Sequence, residues 1–180
     1  MNSIITTDTP IPATVVPRGP THTLSILVNN EPGVLMRICQ VFSRRGFNID
    51  SLVVSEGRNA NFSRMTIGVS GDPKGLEQII MQVNKLIDVI HCSEHNTEDA
   101  VVKELIMVKF LADDTQRTQA LQIIEHFGGK TVDLTPTSMI ALISGNSSKI
   151  DAAVAMFSQF EIIETVRTGK VVMARGEQAT

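Results

Sequence analysis

The chain has 180 residues, and 42% of them are hydrophobic, which is enough to form two small domains with buried cores. Its 16 Lys and Arg residues are outnumbered by 19 Asp and Glu residues, so no cationic excess is available to neutralise many phosphates. Aromatic residues make up only 4%, all of them Phe, which argues against base-stacking platforms. This composition excludes nucleic acid as the main partner.

Cysteine use and apolar run length indicate the compartment. Cys39 and Cys92 form neither a disulfide framework nor a four-ligand zinc pattern, so a reducing, cytoplasmic location is expected. The apolar runs are short and interrupted, whereas a membrane-spanning helix needs ~20 apolar residues, so no membrane association is expected. Residues 1–22 are rich in Thr and Pro and lack the pattern of a secretory signal. They are interpreted as a disordered leader.

The first half of the chain predicts one complete module. Apolar periodicity and turn residues predict a strand at 23–28, a helix at 34–45 ended by Gly46, strands at 47–56 and 62–70, a helix after Asp72-Pro73, and a strand at 88–95. Asp72 is expected to cap that second helix and Pro73 to begin it. The order βαββαβ is that of a ferredoxin-like unit, in which two helices cover one face of an antiparallel sheet.

The second half repeats this order after a polar linker at 95–99. It predicts strands at 104–111, 130–135, 138–144 and 160–168, with helices at 115–127 and 148–158. Leu24 aligns with Leu105, and Gly71 aligns with Gly145, which indicates a duplication with a shorter second hairpin. The predicted fold is therefore α+β, with two tandem ferredoxin-like (βαββαβ) domains at 23–97 and 102–175.

The first strand-to-helix turn has the composition of an anion site. Gly33 allows close approach to the backbone, Pro32 presets the helix entry, and the free N–H groups of a helix N-terminus attract a carboxylate. The amides of Asn30 and Asn48 offer both donors and acceptors, which suits a zwitterion. The same residues also suit an ordinary capped helix and a tight turn, and spacing alone favours that simpler reading.

Longer motifs identify a family. The run SILVNNEPGVLMRICQVFSRRGFNIDSLVVS, followed by SRMTI, resembles the ACT domain of acetolactate synthase small (regulatory) subunits. The segments LIDVIHCSE, ELIMVKF, GGKTVDLTPTSMIALISG and SKIDA resemble the rest of that family, from about Thr23 to Arg175. The resemblance therefore covers both predicted domains and leaves out only the leader.

This resemblance implies a non-catalytic regulatory subunit of branched-chain amino acid biosynthesis. It implies a homodimer that binds valine between two ACT domains, activates the acetolactate synthase catalytic (large) subunit, and confers feedback inhibition by valine. Thiamine diphosphate, FAD and Mg would belong to the catalytic subunit, with no cofactor in this chain. Carried over by motif position, the valine site comprises Asn30, Gly33, Val34 and Leu35 of one domain with Asn48 and Ile49 of its partner.

In this site the carboxylate is expected at the N–H groups near Gly33, the ammonium near Asn48, and the isopropyl group on Val34 and Ile49. Met36 departs from the family pattern, in which a small residue is often found at this position. The sequence does not distinguish valine from leucine or isoleucine as the effector, because one methylene changes binding by only ~1–3 kcal/mol.

The other residues that could carry chemistry favour structural roles. His91 and His95 lie ~13 Å apart on a strand, too far to share one metal ion, and Cys92 and Cys39 are expected to pack in cores. Met65 and Met139 are also expected in cores. Arg64 is expected on a strand surface, with a subunit contact as the alternative.

The sequence supports two other functions less well. A phosphate-binding enzyme such as an acylphosphatase needs a cation at the turn, and Arg37 lies beyond it in the sequence. The other is a freestanding amino-acid-sensing ACT protein that acts on another partner. If such a sensor acted on nucleic acid, a helix-turn-helix segment or a basic stripe would be expected, and this sequence has neither.

Overall fold

The computed structural model describes residues 21–180, so the predicted leader lies outside the described residues except for its last two positions. Thr21 and His22 belong to the first strand, which therefore begins two residues before the predicted one. The elements are β1 (Thr21–Asn29), α1 (Val34–Arg44), β2 (Asn48–Glu56), β3 (Phe62–Ser70), α2 (Pro73–Val83), β4 (Val89–His95), β5 (Ala100–Leu111), α3 (Asp114–His126), β6 (Lys130–Leu134), β7 (Ser138–Gly145), α4 (Ser147–Phe157), β8 (Ile162–Arg167) and β9 (Val171–Ala174).

These elements form two antiparallel sheets, each covered on one face by two helices. The strand order is β2-β3-β1-β4 in the first sheet and β6-β7-β5-β8 in the second. The predicted α+β fold with two tandem ferredoxin-like domains is confirmed. Asp72 caps α2 through the Gly75 N–H group, and Pro73 begins that helix, as predicted. None of the helices in the described part of the chain is long and apolar enough to cross a membrane.

The second domain contains a strand that local patterning did not predict. β9 pairs with the first four residues of β5, Ala100 to Lys103. Because of this pairing, β5 begins at Ala100, ahead of the predicted strand start at 104 and the predicted domain start at 102. Short strands such as β9 are stabilised by their partner strand rather than by their own sequence, so local sequence patterns do not predict them.

The residue register of the internal repeat also needs correction. Leu24 of β1 is buried and lies opposite Ile67, four residues before Gly71, and Val108 of β5 is buried and lies opposite Ala141, four residues before Gly145. Leu24 therefore corresponds to Val108, not to Leu105 as the alignment indicated. Side chains alternate between the faces of a strand, so this three-residue shift would have exchanged core and surface. The correspondence of Gly71 and Gly145 agrees with the helix caps that follow them, Asp72 and Asn146.

Candidate functional site

The turn between β1 and α1 is the only helix start in the described chain without a side-chain cap. Gly33 occupies the N-cap position with φ 86° and ψ −9°, the left-handed conformation that favours glycine. The other helices are capped by Asp72, Asp113 and Asn146, whose side-chain oxygens accept bonds from first-turn N–H groups. The exposed first turn of α1 therefore keeps N–H groups and their partial positive charge for an external anion.

Asn30 joins this turn to the hairpin between β2 and β3. Its Nδ2 donates to the carbonyl oxygen of Ala60 at 2.9 Å, and its Oδ1 accepts from Ser63 Oγ at 3.0 Å. A primary amide has two N–H donors and two acceptor lone pairs, so one of each remains for a ligand. Asn30 is also exposed, so these groups are accessible.

Arg37 contributes a positive charge that the sequence interpretation placed too far away. A Cβ on Gly33 would lie 3.2 Å from Arg37 Nη1, so the guanidinium folds back over the turn. Its Nε and Nη2 atoms each lie 2.7 Å from Asp88 Oδ2, and Asp88 is buried. The argument that no cation reaches the turn was therefore wrong, because i and i+4 residues share one helix face. The pairing with Asp88 partly neutralises the charge and fixes its position.

The side chain of Val34 does not line the turn as predicted. It is 2% exposed and packs in the first core with Ile38 and Phe42. Helical periodicity directs the first residue of this apolar stripe inward, so the Val34 side chain is not accessible to a ligand. Its backbone N–H group donates to the Glu31 carbonyl oxygen at 3.4 Å. Leu35, with 37% of its surface exposed, is the apolar side chain beside the turn, and Met36 extends further into solvent at 64%.

Asn48 and Ile49 lie at the other end of α1. They line a shallow surface depression of about 410 Å³ together with Cys39, Phe42, Ser43, Gly46 and Phe47. The exposed Asn48 donates through Nδ2 to Asp50 Oδ1 at 3.2 Å, and half-buried Ile49 packs against the first core. Asp50 was not singled out from the sequence, yet its carboxylate adds negative charge beside Asn48. Its position follows from a register shift between Ile49 and Ser51 that only the paired strands reveal.

One copy of the chain does not bring the two groups together. Asn29 is opposite Phe62 at one end of β3, whereas Asn48 is opposite Ser70 at the other end. These positions are eight residues apart along β3, or ~26 Å at about 3.3 Å per residue. A ligand the size of an amino acid cannot contact both groups in one protomer.

The remaining candidates are structural. The thiol of Cys92 is buried, and burial raises its pKa to about 12, so it is protonated and unreactive. Met65 and Met139 are buried, as predicted, whereas Cys39 is only partly buried. Arg64 donates to Ser25 Oγ at 2.9 Å and to the carbonyl oxygen of Thr180, and burial lowers its pKa. Within residues 21–180, no group of three or more His, Cys, Asp or Glu residues could hold a metal ion.

Comparison with known proteins identifies the family. Residues 24–91 match the family described as the AHAS small subunit-like ACT domain, and residues 103–176 match the small subunit of acetolactate synthase. The acetolactate synthase small subunit of Mycobacterium bovis is 42% identical over 156 residues, which cover 87% of this chain and 93% of that protein.

Two further relatives agree. The acetolactate synthase small subunit of Mycolicibacterium smegmatis is 42% identical over 157 residues, which cover 87% of this chain and 92% of that protein. The crystal structure of the acetolactate synthase small subunit from Thermotoga maritima has a TM-score of 0.80 at 35% identity and covers 88% of this chain and 99% of that one. Both domains, their order and their fold are matched, so the chain belongs to the acetolactate synthase small subunit family.

Proposed function

We propose that this chain is a regulatory subunit that binds valine between two copies of its first domain, activates the acetolactate synthase catalytic subunit, and inhibits it when valine is bound. The observation that carries the proposal is the separation of the two groups of site residues. Each group has half of the chemistry for an amino acid, and a second copy is needed to unite them.

Strand β2 offers the surface for such a dimer. It lies at the edge of its sheet, with β3 on one side and no strand from residues 21–180 on the other. Exposed sheet edges readily pair with another chain, and a two-fold axis makes two β2 strands run antiparallel. Asn48 at the start of one β2 then lies near Glu56 at the end of the other.

The first group of site residues, in the turn between β1 and α1, lies near the Glu56 end of β2. Glu56 is opposite Ser63 of β3, whose hydroxyl donates to Asn30. Helix α1 packs against β2, so its N-terminal turn lies on the same side of the sheet. Antiparallel β2 pairing therefore brings Asn48 and Ile49 of one copy toward Asn30 and Gly33 of the other.

The combined groups match the functional groups of valine. The uncapped N–H groups and the nearby Arg37 guanidinium attract the carboxylate. The carbonyl oxygen of Asn48 and the carboxylate of Asp50 attract the ammonium group. Leu35 and Ile49 provide apolar contact for the isopropyl group, with Leu35 replacing Val34 in that role. The thiamine diphosphate, FAD and Mg²⁺ of the reaction are assigned to the catalytic subunit.

Calorimetric titration of the chain with valine, leucine, isoleucine and glycine tests the site. We expect saturable valine binding at one site per chain, lost in Asn30→Ala. The matched control is Asn61→Ala, whose side chain is exposed and makes no hydrogen bond within residues 21–180. Absence of valine binding, or equal binding by both variants, would contradict the assigned site.

Activity of the reconstituted complex tests the partner. We expect addition of this chain to raise the activity of an acetolactate synthase catalytic subunit, and valine to reverse that increase. Valine binding without any effect on the catalytic subunit would instead support a freestanding amino-acid sensor.

A further inference from the structure

The two domains contact each other on the face of the first sheet that its helices leave uncovered. Leu52 pairs with the buried core residue Ile67 and faces the helices, so the neighbouring pair of Ser51 and Gly68 faces the other side. Gly169, in the turn between β8 and β9, is buried and lies against Ser51. A part of the C-terminal domain therefore lies directly on strand β2.

The contact is too close for any side chain at position 169. A Cβ on Gly169 would lie 2.5 Å from Ser51 Cβ and 3.0 Å from Ser51 Oγ, whereas the next atom, Ser51 Cα, is 3.7 Å away. Gly169 also has φ 84°. Glycine thus serves two purposes here, because it permits the left-handed turn and leaves room for Ser51.

The turn that carries Gly169 is itself held in place. The Thr168 N–H group donates to the Leu105 carbonyl oxygen at 3.0 Å, and the Leu105 N–H group donates to Thr168 Oγ1 at 3.2 Å. These reciprocal bonds fix the turn to β5. A second contact on the same face joins Arg64 to the carbonyl oxygen of Thr180.

Ser51 is also adjacent to the residues proposed to bind valine. The register shift between Ile49 and Ser51 leaves Asp50 as the extra residue of β2, and the Asp50 carboxylate accepts from both Asn48 and Ser70. Extra residues of this kind re-aim the side chains beside them. Movement of Ser51 would therefore change the position of Asn48 and Ile49.

We propose that Ser51 and Gly169 are positioning residues for the effector site, through which the C-terminal domain holds the edge strand β2 and the side chains of Asn48 and Ile49. This inference rests on the proposed function, because that function assigns Asn48 and Ile49 their contacts with the effector. It makes the C-terminal domain necessary for full effector affinity, although none of its residues is assigned a contact with the effector.

Single and double substitutions at the two positions test this contact in the full chain. Gly169→Ala is expected to weaken valine binding by about tenfold, because small displacements of binding groups have large effects on affinity. In the double variant Ser51→Gly with Gly169→Ala, the nearest Ser51 atom to the new Cβ is the 3.7 Å Cα, so affinity is expected to return to that of Ser51→Gly alone.

Gly176→Ala is the matched control. Gly176 has φ 70°, and a Cβ there would have no neighbour within 4 Å, so this variant has the backbone strain without the contact. We expect it to bind valine like the wild type. Unchanged affinity in Gly169→Ala, loss in Gly176→Ala as well, or no recovery in the double variant would each overturn the proposal.

Hydrogen exchange without valine separates this inference from the proposed function. Amides of residues 48–56 are expected to exchange faster in Gly169→Ala than in the wild type, and not in Gly176→Ala. Absence of valine binding by the wild type would contradict the proposed function, whereas unchanged exchange in Gly169→Ala would contradict the positioning role.

Discussion

Gly33 distinguishes the first strand-to-helix turn from its counterpart in the second domain. The second turn carries Asp113, which accepts from the N–H groups of Thr115 and Gln116. A hydrogen bond from the Thr115 side chain, together with these backbone bonds, holds the pKa of Asp113 below its usual range. One turn therefore contains its own carboxylate, whereas the other leaves its N–H groups for an external one.

Gly33→Asp is expected to lower valine affinity by more than about tenfold, because a carboxylate at the turn repels the carboxylate of the effector. Calorimetry measures the change. Gly128→Ala, at φ 56° in the other domain, controls for backbone strain. Unchanged affinity in Gly33→Asp would show that the carboxylate of valine binds elsewhere.

Glu104 is another carboxylate of the second domain whose pKa is lowered by its hydrogen-bond donors. Burial opposes its ionisation, but hydrogen bonds from Arg167 and Ser147 outweigh burial, and the pKa of Glu104 lies below its usual range. A carboxylate whose pKa is lower in the folded state stabilises the protein at pH values above its unfolded-state pKa, which is near 4.3. This stabilisation disappears as the pH falls through the folded-state pKa.

Glu104→Gln is therefore expected to lower the free energy of unfolding by about 1–3 kcal/mol at pH 7. The difference from the wild type is expected to shrink below about pH 4. Urea denaturation at several pH values measures both quantities, and a difference independent of pH would contradict the electrostatic explanation.

Among the elements, strands β2 and β6 occupy equivalent edges of the two sheets. β2 carries the predicted residues Asn48 and Ile49, and its pairing with a second copy would complete the site. β6 has five residues against nine in β2, so its edge offers fewer backbone groups for pairing. The proposed dimer therefore uses β2.

Val54→Asp is expected to weaken self-association by about tenfold or more, because the pairing of Asn48 with Glu56 places position 54 opposite Asp50 of the other copy, and like charges across an interface are costly. Val54 is 44% exposed on β2, and Val132, 51% exposed on β6, provides the control Val132→Asp. Sedimentation equilibrium measures the dimer constant. Equal effects of both substitutions would argue against a β2 interface.

In the whole molecule, the proposed effector site and the C-terminal domain are linked through the contact of Gly169 with Ser51. An effector changes activity only if it binds one arrangement of the subunits more tightly than another. Such coupling is reciprocal, so the partner that senses valine also changes the affinity for valine.

Saturating catalytic subunit is therefore expected to shift the valine dissociation constant of this chain by about 5-fold or more. Titration calorimetry of the chain alone and of the complex measures the shift. Equal affinities would show that binding and regulation are not linked.

Local sequence patterns were sufficient to predict most of the fold. The apolar stripe of α1, the Asp72-Pro73 start of α2 and the left-handed Gly46 at the end of α1 were all predicted, because helix periodicity and capping involve residues a few positions apart. The resemblance to the family was carried by contiguous motifs and needed no three-dimensional information. The residues assigned to the valine site stay a prediction.

Pairs of residues distant in the chain determined the rest. β9 exists because Ala100 to Lys103 pair with it, and the correspondence of Leu24 with Val108 rests on strand register. The inward side chain of Val34 depends on which helix face meets the core, and the closeness of Gly169 to Ser51 depends on how the domains pack. Local sequence encodes periodicity and turns, whereas register, facing and domain contacts are set by which distant segments bury surface against each other.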